Sequence, residues 1–189
     1  MSLLVNHENK WAFVHIPKTA GTSISYVLNQ CPNTENLVSH ESIRYISHLK
    51  DYFTFSFVRN PFTRTVSAYF HTKRKYNQEM TFESFLKTTN VNELWMLPQN
   101  YFLKSDDDTT QISFLGKYEN LKKDTSLLFS KLQINQKLPH LNKNSIYEKH
   151  PNLKQENYYK FFYEKEWMKE WVRERYYNDI KIFNYGMDI

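Results

Sequence analysis

Three times in its first 76 residues the chain repeats one pattern: a short apolar run, a few polar or turn-forming residues, then a segment with helical spacing. "KWAFVHI" (10–16) is followed by Pro17 and by "GTSISYVLNQ", in which Ile24, Val27 and Leu28 share one face. "ENLVSH" (35–40) precedes "ESIRYISHLK", where Ile43, Ile46 and Leu49 line up. "YFTFSFV" (52–58) precedes Arg59 and "NPFTRTVSAYFHTKRKY". Here Asn60 makes a good N-cap and Pro61 sits at the first helical position. Such alternation specifies an α/β chain whose central parallel sheet is flanked by helices and joined by right-handed crossovers. "TQISFLGKYENL" predicts a fourth strand reaching Gly116, with 119–132 helical after it. Residues 77–110 predict short helices and loops, and 138–151 an irregular loop. Trp167, Met168, Trp171, Val172 and Arg175 have the spacing of a late helix, with its tryptophans in the core rather than forming a stacking platform. No linker or internal repeat divides the 189 residues, so one domain over 1–189 is expected.

Glycine is scarce, three residues in all, where average usage near 7% would give about four times as many. Gly21 therefore answers a backbone need: a positive φ, or the close approach of a ligand. Its neighbours Lys18, Thr19, Thr22 and Ser23 suit an anion. Backbone N–H groups at 20–23 open a helix and can point at a phosphate with the helix dipole behind them. An ordinary capped turn is the plainer reading. The loop is not GxxxxGK[ST], because Lys18 precedes Gly21 by three residues, and no aspartate ends a strand to hold magnesium. No metal is expected. "SDDDTT" (105–110) lacks calcium-loop spacing and reads as a solvated turn.

Ligands of open parallel sheets bind beyond the carboxyl ends of the strands. Three features fall there: the 17–23 loop, His40 and Arg59. Arg59 can fork onto a second phosphate, and Ser67, seven residues after Asn60, lies on nearly the same helix stripe. His40, beside Glu41, stands one strand-end away from Lys18. His15 reads as structural or as a ligand contact. His48 and His71 read as surface or hydrogen-bonded residues, while His140 and His150 can line the late loop. "HTKRKY" (71–76) is a basic stretch that either guides an anion or is simply solvated.

A formal net charge of +5 favours an anionic partner without choosing one. The informative residues gather at strand ends rather than along one basic face, so nucleic acid is not expected. No run approaches a membrane span and no secretory signal is evident. Cys31 is the single cysteine and reads as a small buried hydrophobe in a reducing, cytoplasmic setting.

"HIPKTAGTSI" resembles the 5′-phosphosulfate loop of sulfotransferases that use 3′-phosphoadenosine 5′-phosphosulfate (PAPS), and "FSFVRNPFTRTVSAYF" resembles their 3′-phosphate motif. The likeness is to carbohydrate sulfotransferases, including the heparan sulfate 2-O-sulfotransferase group. It extends through "LPQNYF", "FLGKYENL", "LPHLN" and "YYNDIKIFNYG". It implies a P-loop-like fold, PAPS as donor and a hydroxyl acceptor, most simply a carbohydrate. Lys18, Thr19, Ala20, Gly21, Thr22 and Ser23 would hold the 5′-phosphosulfate. Arg59 with Ser67 would hold the 3′-phosphate, and Lys143 and Ser145 would contact the adenosine end. His40 as the base, with Glu41 as the alternative, and Lys18 would be catalytic. Ser42 stands where some animal relatives carry a second histidine. Two other readings are a nucleotide-binding domain without catalysis and a basic polyanion-binding module.

Overall fold

The structure is a computed structural model, and it describes residues 3–38, 43–46, 48–104, 112–139, 141 and 158–188. The chain divides into two compact units, 1–59 with 99–142 and 60–98 with 143–189.

The first unit is built on five strands: β1 (Leu3–Asn6), β2 (Trp11–Val14), β3 (Thr34–Val38), β4 (Phe53–Val58) and β5 (Phe114–Lys117). Their order is β3-β1-β2-β4-β5. β2 pairs with β4, and β4 with β5, in parallel; β1 runs antiparallel to both β2 and β3. The sheet is thus mixed, which corrects the expectation of a wholly parallel one. The unexpected element is β1. Its four residues are all buried, so it shows none of the alternation that marks a strand with one solvated face. A hairpin joins it to β2, closed by Asn6, whose Oδ1 accepts from the Asn9 backbone N–H at 2.8 Å. The Asn6 amide also donates to the Pro32 carbonyl at 2.8 Å and so ties the entry of β3 to the hairpin.

Helix α1 (Gly21–Leu28) follows β2, and α5 (Leu121–Lys131) follows β5 through a 3₁₀ turn at Tyr118–Asn120. Ile24, Val27, Leu28, Leu128 and Phe129 pack with Phe13, Phe55 and Phe57 of the sheet. After β3 the backbone forms a 3₁₀ turn at Ile43–Ile46 where a helix was expected. Ile43, Ile46 and Leu49 are nonetheless all buried. Cys31 is half-buried against the same core as Phe13, and that burial pushes its thiol up from the ordinary value.

In the second unit α2 (Pro61–Tyr76) begins as the sequence dictates. Asn60 accepts from the Phe62 N–H at 2.9 Å and from the Thr63 N–H at 3.4 Å, with Pro61 at the first helical position. Helices α3 (Phe82–Thr88), α6 (Glu166–Arg175) and α7 (Tyr177–Ile182) share its core, which includes Phe62, Val66, Tyr69, Phe85, Met168 and Val172. Trp167 and Trp171 pack against that core, as their spacing predicts. Two buried tyrosine hydroxyls find backbone partners. The Tyr163 hydroxyl donates to the Phe62 carbonyl at 2.9 Å, and burial pushes it well above the usual phenol range. The Tyr176 hydroxyl donates to the Met96 carbonyl at 2.8 Å. No helix among the described residues is long and apolar enough to cross a membrane.

Candidate active site

β2, β3, β4 and β5 point the same way, so Val14, Val38 and Val58 end at one edge of the sheet. The loop after β2 carries an unusual backbone. Seven non-glycine described residues have positive φ, and five of them (Lys10, Asn33, Asn77, Gln133 and Asn184) sit singly in turns or at helix ends. The other two lie in one loop: Lys18 and Ala20, each at φ 70°. Alanine has no side chain that compensates such a conformation, and each residue of this kind costs on the order of 1–3 kcal/mol. The loop is held in place from two sides. The Thr19 hydroxyl, fully buried, donates to the Ile16 carbonyl at 2.9 Å. Arg59 donates through Nη1 to the Lys18 carbonyl at 3.3 Å.

Ala20 in the left-handed region followed by Gly21 in the helix is a backbone turn of the kind that suits an anion, and within it the Ser23 N–H donates to the Ala20 carbonyl at 3.0 Å. Among the described residues no side chain caps this helix and no carboxylate sits in its first turn. Thr22 is exposed and Lys18 partly so. Ser23 is buried, and its hydroxyl accepts from the Leu141 N–H at 3.4 Å.

Gly21 itself does not have a positive φ. Its role is steric: a Cβ there would lie 1.9 Å from the imidazole of His15. His15 is buried, with its ring stacked on Phe13 at 5.8 Å. The glycine thus admits a neighbouring side chain, and the left-handed geometry belongs to Lys18 and Ala20. Gly21→Ala should overpack this contact and cost about 1–3 kcal/mol. For a chain of this size that is a fall in Tm of several degrees. A thermal melt checks it, and shortening the imidazole in the same chain with His15→Ser should restore part of the loss.

Arg59 follows β4 and is 6% exposed. Its guanidinium carbon lies 3.9 Å from the ring centroid of Tyr118, just past β5. Its backbone is gripped by Gln99, the first residue of α4 (Gln99–Leu103). Gln99 Oε1 accepts from the Arg59 N–H at 2.8 Å, and Gln99 Nε2 donates to the Arg59 carbonyl at 2.8 Å. Neither Gln99 nor Tyr118 stands out by residue type or spacing; each lay only within the resemblance, in "LPQNYF" and "FLGKYENL".

The structure thus gathers Lys18, Thr19, Ala20, Gly21, Thr22, Ser23 and Arg59 within the first unit. Ser67 lies on α2 of the second unit, partly buried. His40, Lys143 and Ser145 fall outside the described residues, as do Glu41, His140, His150 and 105–110. β3 ends two residues before His40. It is separated from β2 by β1, so it is two strand positions from the phosphate loop and not one. His48 is exposed, and His71 meets the Trp95 ring edge-on at 4.7 Å. A cleft of about 660 Å³, lined by Trp11, Cys31 and Phe53 among others, opens at the starts of β2 and β4 and is remote from this loop. Among the described residues no group of three or more histidine, cysteine or acidic side chains could hold a metal ion.

A strained loop and a buried arginine thus stand at the strand ends of this α/β sheet, where such sheets hold their ligands. Comparison with known proteins makes this specific: the chain matches the Sulfotransferase family over residues 1–186, and it belongs to that family. The match runs through both units. The chain is therefore a transferase whose class of reaction is sulfuryl transfer. An uncharacterised protein of Archaeoglobus fulgidus is 31% identical to it over 88 residues, 46% of this chain and 72% of that one. No solved structure gives a significant match.

Proposed function

We propose that the chain transfers the sulfuryl group of PAPS to a hydroxyl group, on a carbohydrate acceptor as in the heparan sulfate 2-O-sulfotransferase group. The observation that carries this reading is the left-handed pair Lys18 and Ala20 at the start of α1. Backbone strain of that kind is held by two hydrogen bonds, and a loop so held suits N–H groups and the Lys18 ammonium to one anion. The donor set fits a nucleotide with phosphates at two positions: it offers backbone N–H groups, a lysine and an arginine, with no carboxylate in the first turn.

When bound, PAPS supplies the sulfuryl group, which passes to the acceptor oxygen as its bond to the 5′-phosphate breaks. Lys18 and the N–H groups of 20–22 stabilise the negative charge that grows on the departing phosphate, while the Ser23 N–H donates to the Ala20 carbonyl at 3.0 Å. The Thr19 hydroxyl is engaged inside the loop, so Thr19 meets the phosphates through its N–H. Arg59 and Ser67 hold the 3′-phosphate, and Lys143 and Ser145 contact the adenosine end. His40 takes the proton from the attacking hydroxyl. The chain is one functional domain, 1–189, without a metal and working in the cytoplasm.

The test is nucleotide selection by the full chain in a calorimeter. Adenosine 3′,5′-bisphosphate should bind more than tenfold tighter than AMP, because a charge-assisted contact is worth about 1.5–3 kcal/mol. Arg59→Ala should shrink that preference. Equal affinities in the wild type would sink the assignment. Nucleotide binding with no turnover on any hydroxyl acceptor would make the chain a binding domain instead.

A further inference from the structure

The end of β4 has a local problem that Gln99 solves. β4 pairs with β2 only as far as Ser56 and with β5 as far as Val58, so Arg59 stands just beyond both ladders. A buried backbone N–H and carbonyl need partners there. Gln99, fully buried, supplies both from one side-chain amide, two bonds of 2.8 Å that imitate an adjoining strand. The Arg59 backbone is thereby fixed. Its side chain is then set by two further contacts, the Tyr118 face at 3.9 Å and the Lys18 carbonyl at 3.3 Å. A guanidinium is planar and donates along fixed directions. With its base clamped, its guanidinium carbon over a ring and Nη1 on the Lys18 carbonyl, its orientation is set before any ligand arrives.

We infer that Gln99 is the positioning residue for nucleotide selection: through Arg59 it sets the preference for a nucleotide bearing a 3′-phosphate. This rests on the reading of Arg59 as the 3′-phosphate contact. Ordering a long side chain in advance removes that cost from binding, and the benefit goes only to a ligand carrying the group that Arg59 holds. AMP lacks that group.

The experiment measures the affinity of the full chain for adenosine 3′,5′-bisphosphate and for AMP, together with Tm, in wild type, Gln99→Met and Gln99→Asn. Methionine keeps the size and removes both bonds. Asparagine keeps the neutral amide on a stem one carbon shorter, which weakens both bonds without burying a charge and guards against the methionine variant failing to fold. The expected result is a bisphosphate-to-AMP preference reduced about tenfold in Gln99→Met and by less in Gln99→Asn, with AMP affinity changed less than that of the bisphosphate. Tyr118→Phe, which keeps the ring face, should retain the preference, and Tyr118→Leu should lose much of it. A purely structural glutamine would lower Tm and leave the preference of the folded protein unchanged, and that outcome overturns the inference alone. A wild-type chain that binds the two nucleotides equally overturns the assignment of Arg59, and this inference falls with it.

Discussion

Lys18→Ala is expected to lower kcat by about 10²–10³-fold, the scale seen when one preorganised donor to developing charge is removed. Binding of adenosine 3′,5′-bisphosphate should weaken far less. The reason is differential: charge on the departing phosphate grows as the bond to sulfur breaks, so the ammonium contributes most in the transition state. The fold should survive the change. Alanine occupies the same left-handed conformation two residues later, at Ala20, and the Lys18 carbonyl that accepts from Arg59 belongs to the backbone. Lys18→Gly then separates the two roles of this position. It relieves the backbone strain and removes the ammonium, so it should match or exceed wild type in Tm while turning over as slowly as Lys18→Ala. Steady-state kinetics on an accepted hydroxyl substrate, with product binding measured alongside, decides the matter. Near-normal kcat in Lys18→Ala would take Lys18 out of the mechanism. A strong chelator should leave the wild-type rate unchanged, since the proposed charge stabilisation comes from the chain's own donors; strict dependence on magnesium would contradict that.

What the sequence could reveal depended on whether the cause of a feature was local. The start of α2 was readable because the Asn60 cap and the Pro61 ring act on their immediate neighbours, and the structure shows both at work. β4 was readable from Phe53, Phe55, Phe57 and Val58, aromatic and β-branched residues that favour strands, although Thr54 and Ser56 between them are buried too. β1 was not, because four buried residues carry no period, and their pairing with β2 and β3 is a tertiary fact. That omission affected the site: with β1 inserted, β3 moves one position further from the phosphate loop. At Gly21 the alternatives were a positive φ or a ligand's approach. The structure gives the space to the His15 imidazole and the positive φ to Lys18 and Ala20. Residue type hides such an assignment, since lysine and alanine are poor left-handed residues and only surrounding contacts hold them there. Gln99 was hidden for a similar reason. A glutamine that replaces a missing strand looks like any other until its backbone partner is known.

His40→Ala is expected to lose about 10²–10⁴-fold in turnover, the range for general acid–base catalysis, while binding adenosine 3′,5′-bisphosphate nearly as well as wild type. The two effects separate because the nucleotide is held by the loop after β2 and by Arg59 after β4, whereas His40 follows β3. The topology makes this a demanding test. Adjacent strands lie about 4.8 Å apart, so with β1 between them β3 and β2 are roughly 10 Å apart. A direct proton transfer needs hydrogen-bond reach, about 3 Å between heavy atoms. An acceptor hydroxyl near Lys18 is therefore within range of His40 only if residues 39 and 40 carry the chain inward from Val38. The pH profile gives a second readout. An imidazole acting as base must be neutral, so kcat should fall as pH is lowered through its titration, and that limb should be missing from the residual activity of His40→Ala. If His40→Ala keeps its activity and its acid limb while Glu41→Ala or His15→Ala abolishes turnover, the base is one of those neighbours. The sulfuryl-transfer reading would stand, since membership of the family does not depend on which residue takes the proton.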